Sequence, residues 1–251
     1  MEFKDTLKNR FISSSLLIIF FLFVVLILPK WFFSLTVTCI IGLGLLEFFN
    51  LVERTNIRVY KYFGTVFGVL VPVVTFLFME LDRIAANFEP FFIVIVCLFI
   101  FILQFERKDN KEALTRISIT LFGILYISWF PSFLIKMRYL DDGKLLVFFL
   151  FLVTKTGDIG AYFIGTLFGK HTLIEHISPK KSVEGMLGGL LFSVIASLVS
   201  SLYLKGFGLL HLAILGLLLG GVGQLGDLSE SLIKRGCQIK DSGWAIINQP
   251  S

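Results

Sequence analysis

The sequence is poor in the residues from which soluble proteins build disulfides, zinc sites and nucleic-acid surfaces. It has only 3 Cys and 3 His in 251 residues; the cysteines lie in separate segments without CxxC spacing, and the histidines show no ligand pattern. A disulfide framework and a zinc site are therefore not indicated. Charged residues make up only 16%, and the formal net charge of +5 is small and dispersed, so we expect no nucleic-acid partner.

Apolar residues are abundant instead. They make up 56% of the chain, which has 29 Phe and a mean hydropathy of +0.86. Apolar runs near twenty residues, the length at which a helix spans a bilayer, recur along the chain. The sequence therefore predicts an all-α, polytopic integral membrane protein with about eight spans. These are placed at about 11–28, 31–52, 59–79, 90–105, 114–135, 145–168, 183–204 and 207–229.

The connections between these runs differ in positive charge. Segments 1–10, 53–61, 106–116, 169–182 and 230–251 carry sixteen of the 23 Lys and Arg, and the intervening turns carry six. Because Lys and Arg concentrate in cytoplasmic loops, we expect both ends of the chain and the 169–182 loop to face the cytoplasm across the inner membrane. We divide the chain into N-terminal helices without a recognisable motif, 1–135, and a motif-bearing region, 136–251.

The most polar stretch of the second region is 224–243, which continues an apolar segment. It places two carboxylates, Asp227 and Glu230, one helical turn apart, with Lys234 on the same face. Each charged group costs roughly 2.5–3.5 kcal/mol at the centre of a bilayer. We therefore predict that these side chains line a polar, cytoplasm-facing cavity. The charged residues that follow are Arg235, Lys240 and Asp241.

A second polar stretch interrupts the sixth predicted span. Lys155 and Asp158 lie one turn apart and can pair, and Asp158 shares a helix face with Tyr162 and Gly165. Two interpretations are open: a buried ion pair that fixes helix packing, or a carboxylate in the cavity. The small residues of this stretch permit close approach of a neighbouring helix. They are Gly157, Gly160, Ala161 and Gly165.

The third polar stretch precedes the seventh span. Ser178 is a suitable helix N-cap and Pro179 suits the first helical position. Lys180 and Lys181 would then occupy a first turn, where the helix dipole disfavours cations. An anion bound at that helix end would reconcile the two lysines with the dipole. The alternative is an ordinary cytoplasmic flank.

These residue types suit phosphoryl chemistry. Paired carboxylates bind hard divalent cations such as Mg²⁺, with phosphate oxygens completing the shell. Lysine and arginine bind polyphosphates. A phosphate monoester is mostly ionised at neutral pH, so it can attack a nucleotide phosphorus once metal and cations position it. The sequence shows no Ser-His-Asp or Cys-His arrangement.

Three segments match a known pattern in order and spacing. They read G-D-I-G-A-Y-F-I-G-x-x-F-G-K-H, S-P-K-K-S-x-E-G-x-x-G-G and G-D-L-S-E-S-L-I-K-R-x-x-x-I-K-D-S-G, and cover most of 157–243. Together they resemble the phosphatidate cytidylyltransferase (CDP-diacylglycerol synthase) family. The resemblance implies a membrane enzyme that condenses CTP with phosphatidate, giving CDP-diacylglycerol and pyrophosphate, with Mg²⁺ as cofactor.

Carried over by position, the resemblance also implies residue roles. Asp227 would bind the metal, and Asp158 would line the same cavity. The pairing of carboxylates along the helix adds Glu230 as a further metal-ligand candidate. The remaining expected phosphate-binding or cavity residues are Ser178, Lys180, Lys181, Lys234, Arg235, Lys240 and Asp241. Lys234 and Arg235 are expected to be catalytic, as are Asp158 and Asp227. Membrane lipid is the surrounding partner, and a homodimer is an open alternative to a monomer.

One part of the sequence departs from the family. There, K-D-S-G is followed by a P-G-H-G-G-x-x-D-R-x-D run and a final span, whereas this chain reads W-A-I-I-N-Q-P-S. We therefore expect the 251-residue chain, expressed alone, to have little or no activity and reduced stability in detergent; if it is active, Glu230 or Asp241 would supply the other metal ligand. The alternatives are a relative that binds lipid or nucleotide without turnover, and a membrane transporter.

Overall fold

The structure, a computed structural model, describes residues 16–81, 88–107 and 110–237. Most of these residues are helical. The helices are α1 (Leu16–Leu26), α2 (Lys30–Glu53), α3 (Lys61–Glu80), α4 (Phe88–Phe105), α5 (Ala113–Gly123), α6 (Phe130–Tyr139), α7 (Gly143–Phe168), α8 (Val183–Val199) and α9 (Leu209–Gly236). A π-helical segment, Ile124–Trp129, joins α5 to α6, and a 3₁₀ turn, Ser200–Leu202, extends α8.

Each of the eight predicted spans overlaps a helical stretch of the described residues. Six helical stretches are long and apolar enough to cross a membrane: Lys30–Glu53, Lys61–Glu80, Ala113–Tyr139, Gly143–Phe168, Val183–Leu202 and Leu209–Gly236. The other two apolar stretches, Leu16–Leu26 and Pro90–Phe105, are shorter. The described residues therefore support a helical membrane protein with six candidate spans, and the count of eight stays a prediction.

A β-hairpin between α7 and α8 departs from the predicted all-α fold. Strand β1 (Thr172–Ile174) pairs antiparallel with β2 (Ser178–Ser182), so that Thr172 lies opposite Ser182 and Ile174 opposite Ser178. The prediction of a helix starting at Ser178 and Pro179 is wrong. Proline is tolerated here because both strands of a two-stranded sheet are edge strands.

Helix α8 begins four residues later than predicted. Its N-cap is Ser182, whose side chain accepts a hydrogen bond from the Gly185 N–H at 3.1 Å. The first turn carries an acidic residue, Glu184, which the helix dipole favours. Lys180 and Lys181 therefore lie in β2, before the helix. They do not occupy its first turn, so the predicted conflict between these lysines and the helix dipole does not arise.

The chain divides into two compact units, Met1–Lys144 and Leu145–Ser251. In the first unit, an apolar cluster that includes Tyr60, Val71 and Ile100 forms the core. The buried Ser128, on the π-helical segment, donates a hydrogen bond to the Gly68 carbonyl of α3 at 2.5 Å. A polar bond thus joins the π-helical segment to α3 inside the core.

The second unit is built by close contact of α7, α8 and α9. Ser193 of α8 is fully buried and donates to the Val153 carbonyl of α7 at 3.2 Å. A Cβ added to Gly220 of α9 would lie 2.7 Å from the Ser193 side chain, and one added to Gly165 of α7 would lie 3.4 Å from the Gly185 Cα. The prediction that small residues allow close helix approach is therefore confirmed for α7. This packing fixes the helices that carry the polar motifs.

Candidate active site

The second unit contains a cavity of about 490 Å³. Five elements contribute to its walls, and all three polar stretches of the sequence reach it. Its lining residues are Asp158, Ala161, Tyr162, Gly165 and Thr166 of α7, Leu173 of β1, Lys180, Lys181 and Ser182 of β2, Gly185 and Met186 of α8, and Gln224, Asp227 and Leu228 of α9. We call it the polar cavity.

Asp158 enters the polar cavity from α7. The Lys155 ammonium lies 2.7 Å from Asp158 Oδ2, which confirms the predicted pairing one turn apart. The side chains of Lys155 and Asp158 are 56% and 39% exposed. The contact therefore does not act as a buried pair that fixes helix packing.

Asp227 enters from α9 and faces the hairpin. The Lys181 ammonium lies 3.5 Å from Asp227 Oδ2, and both side chains are partly exposed. Lys180, the preceding residue of β2, also lines the cavity. Two carboxylates and two consecutive lysines, which come from three separate parts of the sequence, thus meet around one cavity.

The N-terminus of α8 opens onto the same cavity. Ser182 and Gly185, the capping pair of this helix, both line it. A helix N-terminus carries a partial positive charge and free N–H groups, so it favours an anion. Together with Lys180 and Lys181, it gives one side of the cavity the properties of a phosphate-binding surface.

The carboxylates suit a metal ion that is bound together with a phosphate. Within the described ranges there is no group of three or more His, Cys, Asp or Glu that could hold a metal ion on its own. Asp158 and Asp227 nevertheless line the same cavity. Mg²⁺ is commonly held by one or two carboxylates plus substrate phosphate oxygens. The donor set therefore fits a Mg²⁺ ion that arrives with a nucleotide.

Other predicted site residues lie away from this cavity. Glu230 and Lys234 continue along α9 and pair with each other, with 2.5 Å between Lys234 Nζ and Glu230 Oε1. Ser178 pairs with Ile174 at the start of β2, and Arg235 is exposed near the end of α9. None of these residues is among those that line the polar cavity. Lys240 and Asp241 lie outside the described residues.

A model described as the cytidylyltransferase family matches residues 8–247. The chain belongs to the cytidylyltransferase family. It is similar to the phosphatidate cytidylyltransferase of Synechocystis, with 31% identity over 252 residues, covering 89% of this chain and 83% of the relative. It is also similar to the enzymes of that name from Bacillus subtilis (30% over 244 residues, 94% and 87% covered) and Mycobacterium bovis (38% over 130 residues, 52% and 42% covered).

The cytidylyltransferase match confirms the resemblance inferred from the three motifs and extends it. The motifs cover most of 157–243, whereas the family match begins at residue 8 and so includes the N-terminal helices. Apolar membrane helices offer few distinctive side chains, which explains why no motif was visible there. The six apolar helices and this membership make the chain an integral membrane protein.

One residue that lines the polar cavity was not singled out from the sequence. The Gln224 side-chain amide lines the cavity and donates to the Met186 carbonyl at 3.0 Å, which joins α9 to α8. A signal was present: Gln224 lies three residues before Asp227 in an apolar segment, and therefore on the same helix face. The bond therefore links the two helices that form these walls of the cavity.

Proposed function

We propose that the protein is a CTP:phosphatidate cytidylyltransferase, which condenses CTP and phosphatidate to CDP-diacylglycerol and pyrophosphate in phospholipid biosynthesis. The observation that carries the proposal is the meeting of two carboxylates, two lysines and the α8 N-terminus around one cavity. The similarity to proteins named phosphatidate cytidylyltransferase supports it.

In the proposed reaction, a phosphate oxygen of phosphatidate attacks the α-phosphorus of CTP. A new P–O bond forms, the bond between the α-phosphorus and the bridging oxygen breaks, and pyrophosphate leaves. Lys180, Lys181 and the α8 N-terminus would hold the phosphates and stabilise the charge that develops on them. No base is needed, because the lipid phosphate is already largely ionised at neutral pH.

Mg²⁺ is the proposed cofactor, and Asp227 and Asp158 are its proposed ligands. When bound, the ion would neutralise charge on the triphosphate and favour departure of pyrophosphate. Lys181, which pairs with Asp227 in the structure, would then be released to contact a phosphate. Glu230, the other ligand expected from the sequence, is paired with Lys234 and would have to leave it to bind metal.

The remaining assignments are also proposals. Lys234 and Arg235 lie near the C-terminal end of α9, where they could contact phosphate that extends beyond the cavity. Ser178, Lys240 and Asp241 keep the phosphate-binding or wall role implied by the family pattern. We further propose that the protein lies in the inner membrane, with the cavity facing the cytoplasm, where CTP is present. The homodimer is a prediction that light scattering in detergent would check.

The orientation can be tested at the hairpin turn. His176 is exposed between the two strands, so His176→Cys offers a labelling position near the cavity that does not alter its lining. We expect a membrane-impermeant maleimide to label this cysteine in inverted membrane vesicles and not in intact cells. The native cysteines are replaced by serine to remove background. Labelling in intact cells would contradict the proposed orientation.

The activity is tested with purified protein, phosphatidate, Mg²⁺ and CTP labelled at the α-phosphate. Because the family match extends to residue 247, we favour an active protein over the low activity expected from the W-A-I-I-N-Q-P-S segment alone. We expect label to enter the organic phase as CDP-diacylglycerol only when phosphatidate is present. Asp227→Asn should abolish the transfer, and Asp141→Asn, at an exposed aspartate outside the cavity, should not. CTP binding without transfer would support the non-catalytic alternative, and label transfer that is independent of phosphatidate would refute the substrate assignment.

A further inference from the structure

One carboxylate at the base of the hairpin has no role in the proposed reaction. Glu184, in the first turn of α8, accepts hydrogen bonds from the backbone N–H groups of Lys170 at 3.0 Å and His171 at 3.3 Å. The same carboxylate lies 2.6 Å from His171 Nδ1. Lys170 and His171 follow α7 and precede β1. Glu184 therefore connects the end of α7, the start of the hairpin and the start of α8.

Other contacts also hold the base of the hairpin, where residues 169–171 meet residues 182–184, whereas the turn is held by a longer hydrogen bond. The Val183 N–H donates to the His171 carbonyl at 2.9 Å, and a Cβ added to Gly169 would lie 2.8 Å from Ser182 Oγ. At the turn, the Ile177 N–H donates to the Ile174 carbonyl at a longer 3.3 Å. An isolated two-stranded hairpin is marginally stable at best. The contacts at its base, together with the Lys181–Asp227 pair, therefore hold this hairpin in position.

The hairpin carries residues of the polar cavity. Lys180 and Lys181 line it from β2, and Lys181 reaches Asp227 of α9. Lys181 lies only three residues before Glu184, so a shift at the base would displace the lysine from the cavity. We propose that Glu184 is a positioning residue, which holds the hairpin so that Lys180 and Lys181 face the polar cavity. The catalytic consequence rests on the proposed function, whereas the structural placement does not.

Substitutions of Glu184 distinguish hydrogen-bond acceptance from charge. Glu184→Ala removes all three contacts, and Glu184→Gln keeps a side-chain oxygen that accepts from the backbone N–H groups. A misplacement of about 1 Å can cost on the order of 100-fold in rate. We expect Glu184→Ala to lower kcat/KM by about that factor, mainly through KM for CTP, and Glu184→Gln to stay within about 10-fold of the wild type. His171→Ala, which removes only the ring contact, should have a smaller effect than Glu184→Ala.

The matched control is Glu175→Ala, which removes the same charge from an exposed residue of the same hairpin. Amide hydrogen exchange is followed in parallel, because it requires no activity. We expect faster exchange in residues 170–182 for Glu184→Ala and not for Glu175→Ala, with α7, α8 and α9 protected as in the wild type. An inactive wild type would refute the proposed function, and the exchange data would still decide the placement of the hairpin.

Three results would overturn the proposal. The first is equal KM and equal exchange in Glu184→Ala and Glu175→Ala. The second is a general structural role for Glu184. Faster exchange throughout α7, α8 and α9 in Glu184→Ala would show it. So would a Glu184→Ala variant that does not fold, if His171→Ala and Glu184→Gln have wild-type kinetics. The third is a Glu184→Gln variant as impaired as Glu184→Ala, which would show that hydrogen-bond acceptance is not the cause.

Discussion

Replacing Lys181 separates the stability of the site from its affinity for phosphate. In the structure Lys181 pairs with Asp227 at 3.5 Å, with the two side chains 32% and 54% exposed. A pair this exposed contributes at most about 1 kcal/mol to the free energy of unfolding. Lys181→Met keeps the aliphatic length of the side chain and removes the charge. We therefore expect a small change in the thermal unfolding temperature in detergent.

The effect on substrate binding should be larger. A hydrogen bond to a charged group contributes about 1.5–3 kcal/mol, and about 1.4 kcal/mol corresponds to a factor of ten in affinity. Loss of one ammonium–phosphate contact in the polar cavity should therefore raise KM for CTP or phosphatidate by roughly 10- to 100-fold. The same substitution frees Asp227 from its cation, so Mg²⁺ binding should not weaken.

The assay is transfer of α-labelled CTP into lipid at varied CTP and at varied phosphatidate, with thermal unfolding measured on the same samples. The control is Lys61→Met in the first unit. Lys61 forms an ion pair with Glu53 at 3.3 Å and does not line the polar cavity, so it reproduces the loss of a surface pair without the proposed phosphate contact. A KM within twofold of the wild type for both substrates, or an equal rise in Lys61→Met, would refute the reasoning.

The remaining predictions concern the metal and the helix packing. Asp227→Asn should keep the helical circular dichroism signal and lose at least 100-fold in transfer rate, because a neutral amide is a poor ligand for Mg²⁺. Lys155→Met should tighten Mn²⁺ binding, because it removes a cation that competes for Asp158. The binding is measured by electron paramagnetic resonance with CTP present. Gly216→Ala should lower the stability by about 1–3 kcal/mol in chemical unfolding, because a Cβ there would lie 2.8 Å from the α8 backbone. The control is Gly226→Ala on the same helix, where no atom lies within 4 Å of an added Cβ, and it should not lower the stability.

Local features of the protein could be predicted from the sequence because neighbours along a helix have a fixed geometry. Residues three or four apart lie on one face, so the Lys155–Asp158 pair could be expected before its 2.7 Å contact was seen. The same rule placed Glu230 and Lys234 together on α9, where they form a pair. The rule could not decide that this pair would lie outside the cavity, because that depends on neighbouring elements.

The hairpin shows the limit of local patterns. Ser178 followed by Pro179 satisfies the signals for a helix start, yet Ser182 is the N-cap that the structure uses. The cross-strand pairing of Thr172 with Ser182, and the Glu184 contacts with Lys170 and His171, stabilise the extended conformation. These partners are ten or more residues apart, so no propensity within a single turn reports on them.

By itself, the sequence determined that the chain is a helical membrane protein and that its family motifs lie in three polar segments. Apolar length is a property of a continuous run, and a motif is a property of spacing along the chain; neither needs a tertiary structure. Only the tertiary structure decided which polar side chains share a cavity, because the contact between Lys181 and Asp227 joins a hairpin to a helix that follows it by tens of residues. That contact depends on the close packing of α7, α8 and α9 around Ser193, where small residues remove the side-chain volume that would otherwise keep the helices apart.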